Sequence, residues 1–129
     1  ICKGPLSQMT PQTLKLWRQQ QREKAMDIEQ LRRMNKAEQI AITEHARRRL
    51  VERGISVNDI IRCIDTREII HQYEDDKPFP SCLILGADID GGHLHVVVSH
   101  DDEWIYLITA YHPDPNVWES DFKTRKKEH

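Results

Sequence analysis

The spacing of apolar positions changes near residue 67. Upstream they recur at helical intervals, and from Arg67 onward they alternate or run together in short extended blocks. In the helical part, Thr43 is placed to cap a helix that ends at Gly54. Ser56, with Asp59 three residues on, starts a second short helix through Ile60, Ile61 and Ile64, whose apolar side should rest on a sheet. Four strands are expected after it, at Arg67–Tyr73, Ser81–Ala87, His93–Ser99 and Glu103–Tyr111. The turn signals at residues 88–92 and 100–102 join the last three as an antiparallel meander, and Pro78 and Pro80 break the link between the first two. The third and fourth strands are partly apolar on both faces, which predicts a sheet covered by helices. Helices followed by strands make an α+β fold, two helices on an antiparallel sheet of about four strands.

A polar, helix-rich segment precedes this unit. Thr10 or Thr13 can cap it, and no Gly or Pro interrupts the run from Leu14 to about Met34. Leu14, Trp17, Ile28 and Leu31 follow a seven-residue pattern only if Gln21 and Lys24 stand in the stripe, too sparse for a coiled coil. The arm is expected to pack on the domain, on a second copy in a homodimer, or on a partner. The organisation reads as a helical arm over 1–41, an α+β domain over 42–113 and a charged tail over 114–129.

Length allows one domain with an appendage, large enough to fold without disulfides or metal. The three cysteines, Cys2, Cys63 and Cys82, are scattered and odd in number, so neither a disulfide framework nor a zinc site is expected. No apolar stretch spans a bilayer and the first residues lack the core of a secretion signal, so the expected setting is the reducing cytoplasm, away from membranes. The net charge of −2 hides an asymmetry. Residues 1–41 carry eight Lys/Arg against four Asp/Glu, whereas residues 67–120 carry two against eleven. A basic helical part suits RNA or an acidic partner, and the acidic loops would repel a phosphate backbone.

Candidate chemistry gathers on the first helix of the domain. Spacing of four places His45, Arg49 and Arg53 on one side. Histidine exchanges a proton near neutral pH, and arginine presents a planar fork of donors to phosphate oxygens. Metal-free RNA cleavage needs the 2′-hydroxyl deprotonated, the 5′-oxygen protonated and the phosphorane charge stabilised. His45 suits the acid-base role, and Arg49 and Arg53 suit the charge. A second proton carrier would come from the strands, where Glu68, His71, Thr109 and Tyr111 are available. Bland readings compete: His45 bonding a nearby carbonyl, Arg49 pairing with Glu52 or Glu68, and Arg53 complementing the helix C-terminus. His93 and His95 share a strand face, but a pair alone makes no metal site, and no metal or cofactor is expected.

The sequence His45-Ala-x-x-Arg49-x-x-x-Arg53-Gly-Ile-Ser, a following helix, the strand at Glu68-Ile69-Ile70 and a closing Leu-Ile-Thr-Ala-Tyr strand resemble the bacterial family known as domain of unknown function 4258, over about Ile42 to Pro113. That family is held to be related to RelE-like ribonuclease toxins and their barnase-like relatives, often encoded beside a zinc-finger and helix-turn-helix antitoxin. The resemblance implies helices on one face of an antiparallel sheet, and it ranks Tyr111 and Glu68 first among the strand residues for catalysis. By implication His45, Arg49, Glu68 and Tyr111 are catalytic, while Arg49, Arg53 and Thr109 bind phosphate or RNA. The expected function is a metal-independent endoribonuclease toxin of a toxin–antitoxin system, cleaving RNA by 2′-hydroxyl attack and held by an antitoxin, and the alternative is a non-catalytic RNA- or protein-binding module on the same scaffold.

Overall fold

A computed structural model describes residues 10–13 and 25–127. Most of the expected arm helix lies outside these residues. Its last part does not continue one unbroken run. Residues 25–27 are non-helical, and a short helix α1, Ile28–Arg33, starts at an Asp27 cap that accepts from the Glu29 amide. The Gln72 side chain, from a strand of the domain's sheet, holds Met26 by both backbone groups: Met26 N donates to Oε1 at 3.0 Å, and Nε2 donates to Met26 O at 2.9 Å. Met26, Leu31 and Met34 are buried in the core, so this end of the arm packs on the domain itself.

After a single 3-10 turn at Ala37–Gln39 come β1 (Ile40–Ile42), α2 (Glu44–Arg53), α3 (Val57–Thr66), β2 (Glu68–Tyr73), β3 (Ser81–Ala87), β4 (His93–His100) and β5 (Ile105–Tyr111). The five strands form one sheet in the order β1-β5-β4-β3-β2. The four strands expected from the sequence make the antiparallel meander β2 to β5. A fifth strand, β1, adds to them, pairing parallel with β5 through Ile40 and Ile105, Ala41 and Tyr106, and Ile42 and Leu107. The fold is therefore α+β with a mixed, mostly antiparallel sheet.

Both helices begin on capping residues, and α2 also ends on one. Thr43 Oγ1 accepts from the Ala46 amide, and Gly54 closes α2 in the left-handed conformation (φ 67°) that an L side chain rarely adopts. Ser56 and Asp59 form a reciprocal capping box on α3. Burial opposes the charge of Asp59, but bonds from the Ile89 amide and from Ser56 outweigh it and hold its carboxyl below the usual range. One side chain thereby fixes both the start of α3 and the β3–β4 turn.

The core lies between the helices and one sheet face, where Ile60, Ile64, Ile84, Val96, Val98 and Ile105 are fully covered. Cys63 and Cys82 sit in this layer with thiols pushed up to about 12 by burial, which leaves them protonated packing groups. Among the described residues, no helix packs on the opposite face. A hairpin built from the C-terminal residues crosses it, with Trp118 bridged to Arg125 and Lys126 N bonded to Val117 O at 2.8 Å. The half-apolar character of β3 and β4 on that side reflects this hairpin.

Candidate functional site

The residues singled out from the sequence divide between the outer edge of β5 and the hairpin face. β1 pairs with β5 only as far as Leu107, and α2 then runs beside the remainder of the strand. A bulge opposite Val97 and Val98 turns Ile108 outward. The result is a cleft of about 310 Å³ lined by His45, Arg49 and Arg53 from α2 and by Ile108, Thr109 and Ala110 from β5. Four candidates, His45, Arg49, Arg53 and Thr109, are thus brought together; Glu68 and Tyr111 do not line this cleft.

The two arginines differ in freedom. Arg53 Nη1 donates to the Ala110 carbonyl at 2.8 Å and to Thr109 Oγ1 at 3.2 Å, which fixes its guanidinium at the strand edge. Arg49 meets Glu52 at 3.4 Å, with its side chain about half exposed (51%). An exposed pair one helical turn apart is worth only about 0.3–0.5 kcal/mol, so a phosphate can displace the carboxylate. Arg48 pairs with Glu44 at 3.7 Å on the solvent side. The cleft holds one imidazole and two cations, and the Thr109 hydroxyl is its only other side-chain polar group among the lining residues.

Strand register explains where Glu68 and Tyr111 go. Glu68 lies opposite Leu85, Leu85 opposite His95 and His95 opposite Tyr111, a row across the face away from the helices. A second row runs His71, Leu83, Val97 and Thr109. Glu68 is paired with Lys123 of the hairpin. Tyr111 rests edge-on against His95, 5.2 Å between ring centroids, and Trp118 does the same from above at 4.6 Å.

His95 is fully buried, with Nε2 2.8 Å from the Phe122 carbonyl and Nδ1 3.2 Å from the Tyr111 hydroxyl. A carbonyl only accepts, so Nε2 carries the proton and Nδ1 accepts from Tyr111. Burial lowers the pKa of His95 against the opposing effect of the Phe122 bond, and it raises that of Tyr111. Both are neutral, ordered groups. Phe122 itself has a left-handed backbone (φ 55°), which directs its carbonyl to His95 while its ring lies on His93 at 4.3 Å. His93 and His95 are thus tied up with aromatic and carbonyl partners, and no group of three or more His, Cys, Asp or Glu among the described residues is arranged to hold a metal.

Sequence reasoning did not bring Trp118, Lys123 and Arg125 to this face. The available signal was local: Asp121 Oδ1 accepts from the amides of Lys123 and Thr124, an Asx turn that folds the charged tail back on itself.

No helix among the described residues is long and apolar enough to cross a membrane. Of the comparisons with known proteins, one gives a match: residues 42–112 fit the family described as Domain of unknown function (DUF4258). No curated protein and no solved structure matches the chain.

Proposed function

The chain belongs to the DUF4258 family, and on that premise we propose that it binds RNA, seating a phosphodiester in the α2–β5 cleft. The observation that carries this reading is the convergence of His45, Arg49 and Arg53 on one cleft wall with Thr109 opposite. Arg53 is anchored through one nitrogen and keeps further N–H donors for an anion, and Arg49 supplies a second fork beside it. The acidic sheet half limits the footprint to this edge, so affinity should come from a few phosphate contacts and fall steeply with salt.

A second reading is cleavage, as in a toxin-like, metal-independent endoribonuclease restrained by a zinc-finger or helix-turn-helix antitoxin. It is favoured by His45, an imidazole beside two cations. In that scheme His45 takes the 2′-hydroxyl proton, the oxygen attacks phosphorus to form a 2′,3′-cyclic phosphate, the P–O5′ bond breaks, and the leaving 5′-oxygen takes a proton from water. The four catalytic candidates are not gathered in one place, which ranks binding ahead of cleavage. Kinship with RelE-like or barnase-like enzymes belongs to this second reading.

The test pairs two measurements on the wild type and the His45→Ala/Arg49→Ala variant. Anisotropy of a labelled single-stranded RNA, taken across a salt series, should show weaker binding by the variant and a log–log slope shallower by about 0.7 for each phosphate that the variant no longer neutralises. Induced expression in bacteria, with growth and total RNA followed together, decides the chemistry. Binding without new RNA ends supports the module, and growth arrest with new ends in the wild type only supports the nuclease. Equal RNA affinity of the two proteins with no effect on growth would overturn both.

A further inference from the structure

A second cleft, of about 340 Å³, lies on the hairpin face and is used by neither reading above. His71 and Tyr73 of β2 form one wall, Tyr111 of β5 another, and Trp118, Lys123 and Arg125 of the C-terminal hairpin the third. We propose that it binds one nucleoside monophosphate unit, with the base against the tyrosine and tryptophan rings and the phosphate on Arg125 and Lys123.

Charge is the first argument. Arg125 lines the cleft over the Trp118 ring, 5.6 Å from its centroid, and among the described residues no carboxylate lies within ion-pair distance of it. A guanidinium held by an aromatic face and left without a counter-ion is a ready partner for a phosphate. Lys123 adds an ammonium on the same wall, shared with Glu68. An arriving phosphate takes over Lys123 from an exposed carboxylate, which is an inexpensive exchange.

Shape and aromatic content then select the rest of the ligand. Three rings face a space at the lower end of the size range of small-ligand sites, so the occupant is a single unit and not a length of chain. A base stacks on such rings whatever its identity, because every base has a π-face. His71 stands edge-on to Tyr73 at 4.6 Å and presents a ring nitrogen for a sugar hydroxyl or phosphate oxygen. The walls are fixed in advance, because Tyr111 and Trp118 are both braced on buried His95, and this reduces the ordering cost of binding. Trp118, Lys123 and Arg125 lie beyond residue 112, outside the family match.

This site is independent of the α2 cleft and is tested separately, by ¹H–¹⁵N NMR titration of the full chain with AMP, UMP, adenosine and inorganic phosphate. Shifts that saturate with the monophosphates and cluster at residues 71–73, 111 and 118–125 are expected, with adenosine and phosphate alone at least about tenfold weaker. Arg125→Gln, an exposed position, should cost the monophosphates about tenfold and leave adenosine unchanged, and Tyr73→Ala should weaken both. A di- or trinucleotide competing at the same residues through its terminal nucleotide identifies an RNA end as the source; binding by AMP or UMP alone identifies the free nucleotide. No saturable shift at ~10 mM ligand, a dissociation constant above about 10 mM, overturns the proposal. So do shifts that cluster elsewhere, or an Arg125→Gln protein that is folded by its spectrum and binds the monophosphates as the wild type does.

Discussion

At His95, burial and hydrogen bonding act in opposite directions on the proton, and burial prevails. Its pKa is lower in the folded chain than in the unfolded one, where histidine titrates near 6.5. The unfolded chain therefore takes up this proton first as the pH falls. The contribution of His95 to stability is complete above about 6.5 and declines as the pH drops from there toward the folded value, by at most about 1.4 kcal/mol per pH unit. Urea unfolding between pH 7.5 and 5 should show this slope. His95→Leu should remove it and also lower stability throughout, because the Phe122 carbonyl loses its donor at a cost of about 1–3 kcal/mol. An unaltered slope in that variant would show that the other histidines govern the acid response.

Of the helix–strand contacts, that of α3 with β3 is the most extensive, and Gly86 allows it. A Cβ there would stand 2.1 Å from the Cys63 carbonyl oxygen, so the helix backbone lies directly on the strand. Gly86→Ala must push α3 away from the sheet and should cost about 1–3 kcal/mol or more, read as a lower melting temperature. The capped helices and the long strands were legible in the sequence because Thr43, Gly54, Ser56 and Asp59 act on their immediate neighbours and the strands are extended blocks of six residues or more, set off by turn signals. β1 was not, since three residues, Ile40-Ala41-Ile42, carry no period and depend on a parallel partner more than sixty positions away. The break at Met26 was equally hidden, being imposed by Gln72 from the sheet. For the site, helical spacing located His45, Arg49 and Arg53, and Thr109 joined them. Glu68 and Tyr111 stand on different strands, and only the three-dimensional arrangement shows that they share a face and that this face is separate from the α2 cleft.

Taken as a whole, the molecule has a sheet with helices on one side and a folded-back C-terminal hairpin on the other. The hairpin supplies the Phe122 carbonyl, the Trp118 ring and the Lys123 partner of Glu68, so it is part of the packed structure and not an appended tail. Removing residues 114–129 should expose His95 and its neighbours, lower the melting temperature and increase binding of an apolar dye such as ANS. Identical melting of the two proteins would show that the hairpin contributes nothing to the fold. The contact of Arg53 with the Ala110 carbonyl has one further consequence. Among the described residues the outer backbone of β5 has no neighbouring strand beyond Leu107, and such a margin is a template on which another chain can add by backbone pairing. A guanidinium bonded to that carbonyl places a permanent charge where the added strand would lie. Replacing Arg53 with Ala should therefore free this edge and raise the tendency of the chain to self-associate, read by light scattering.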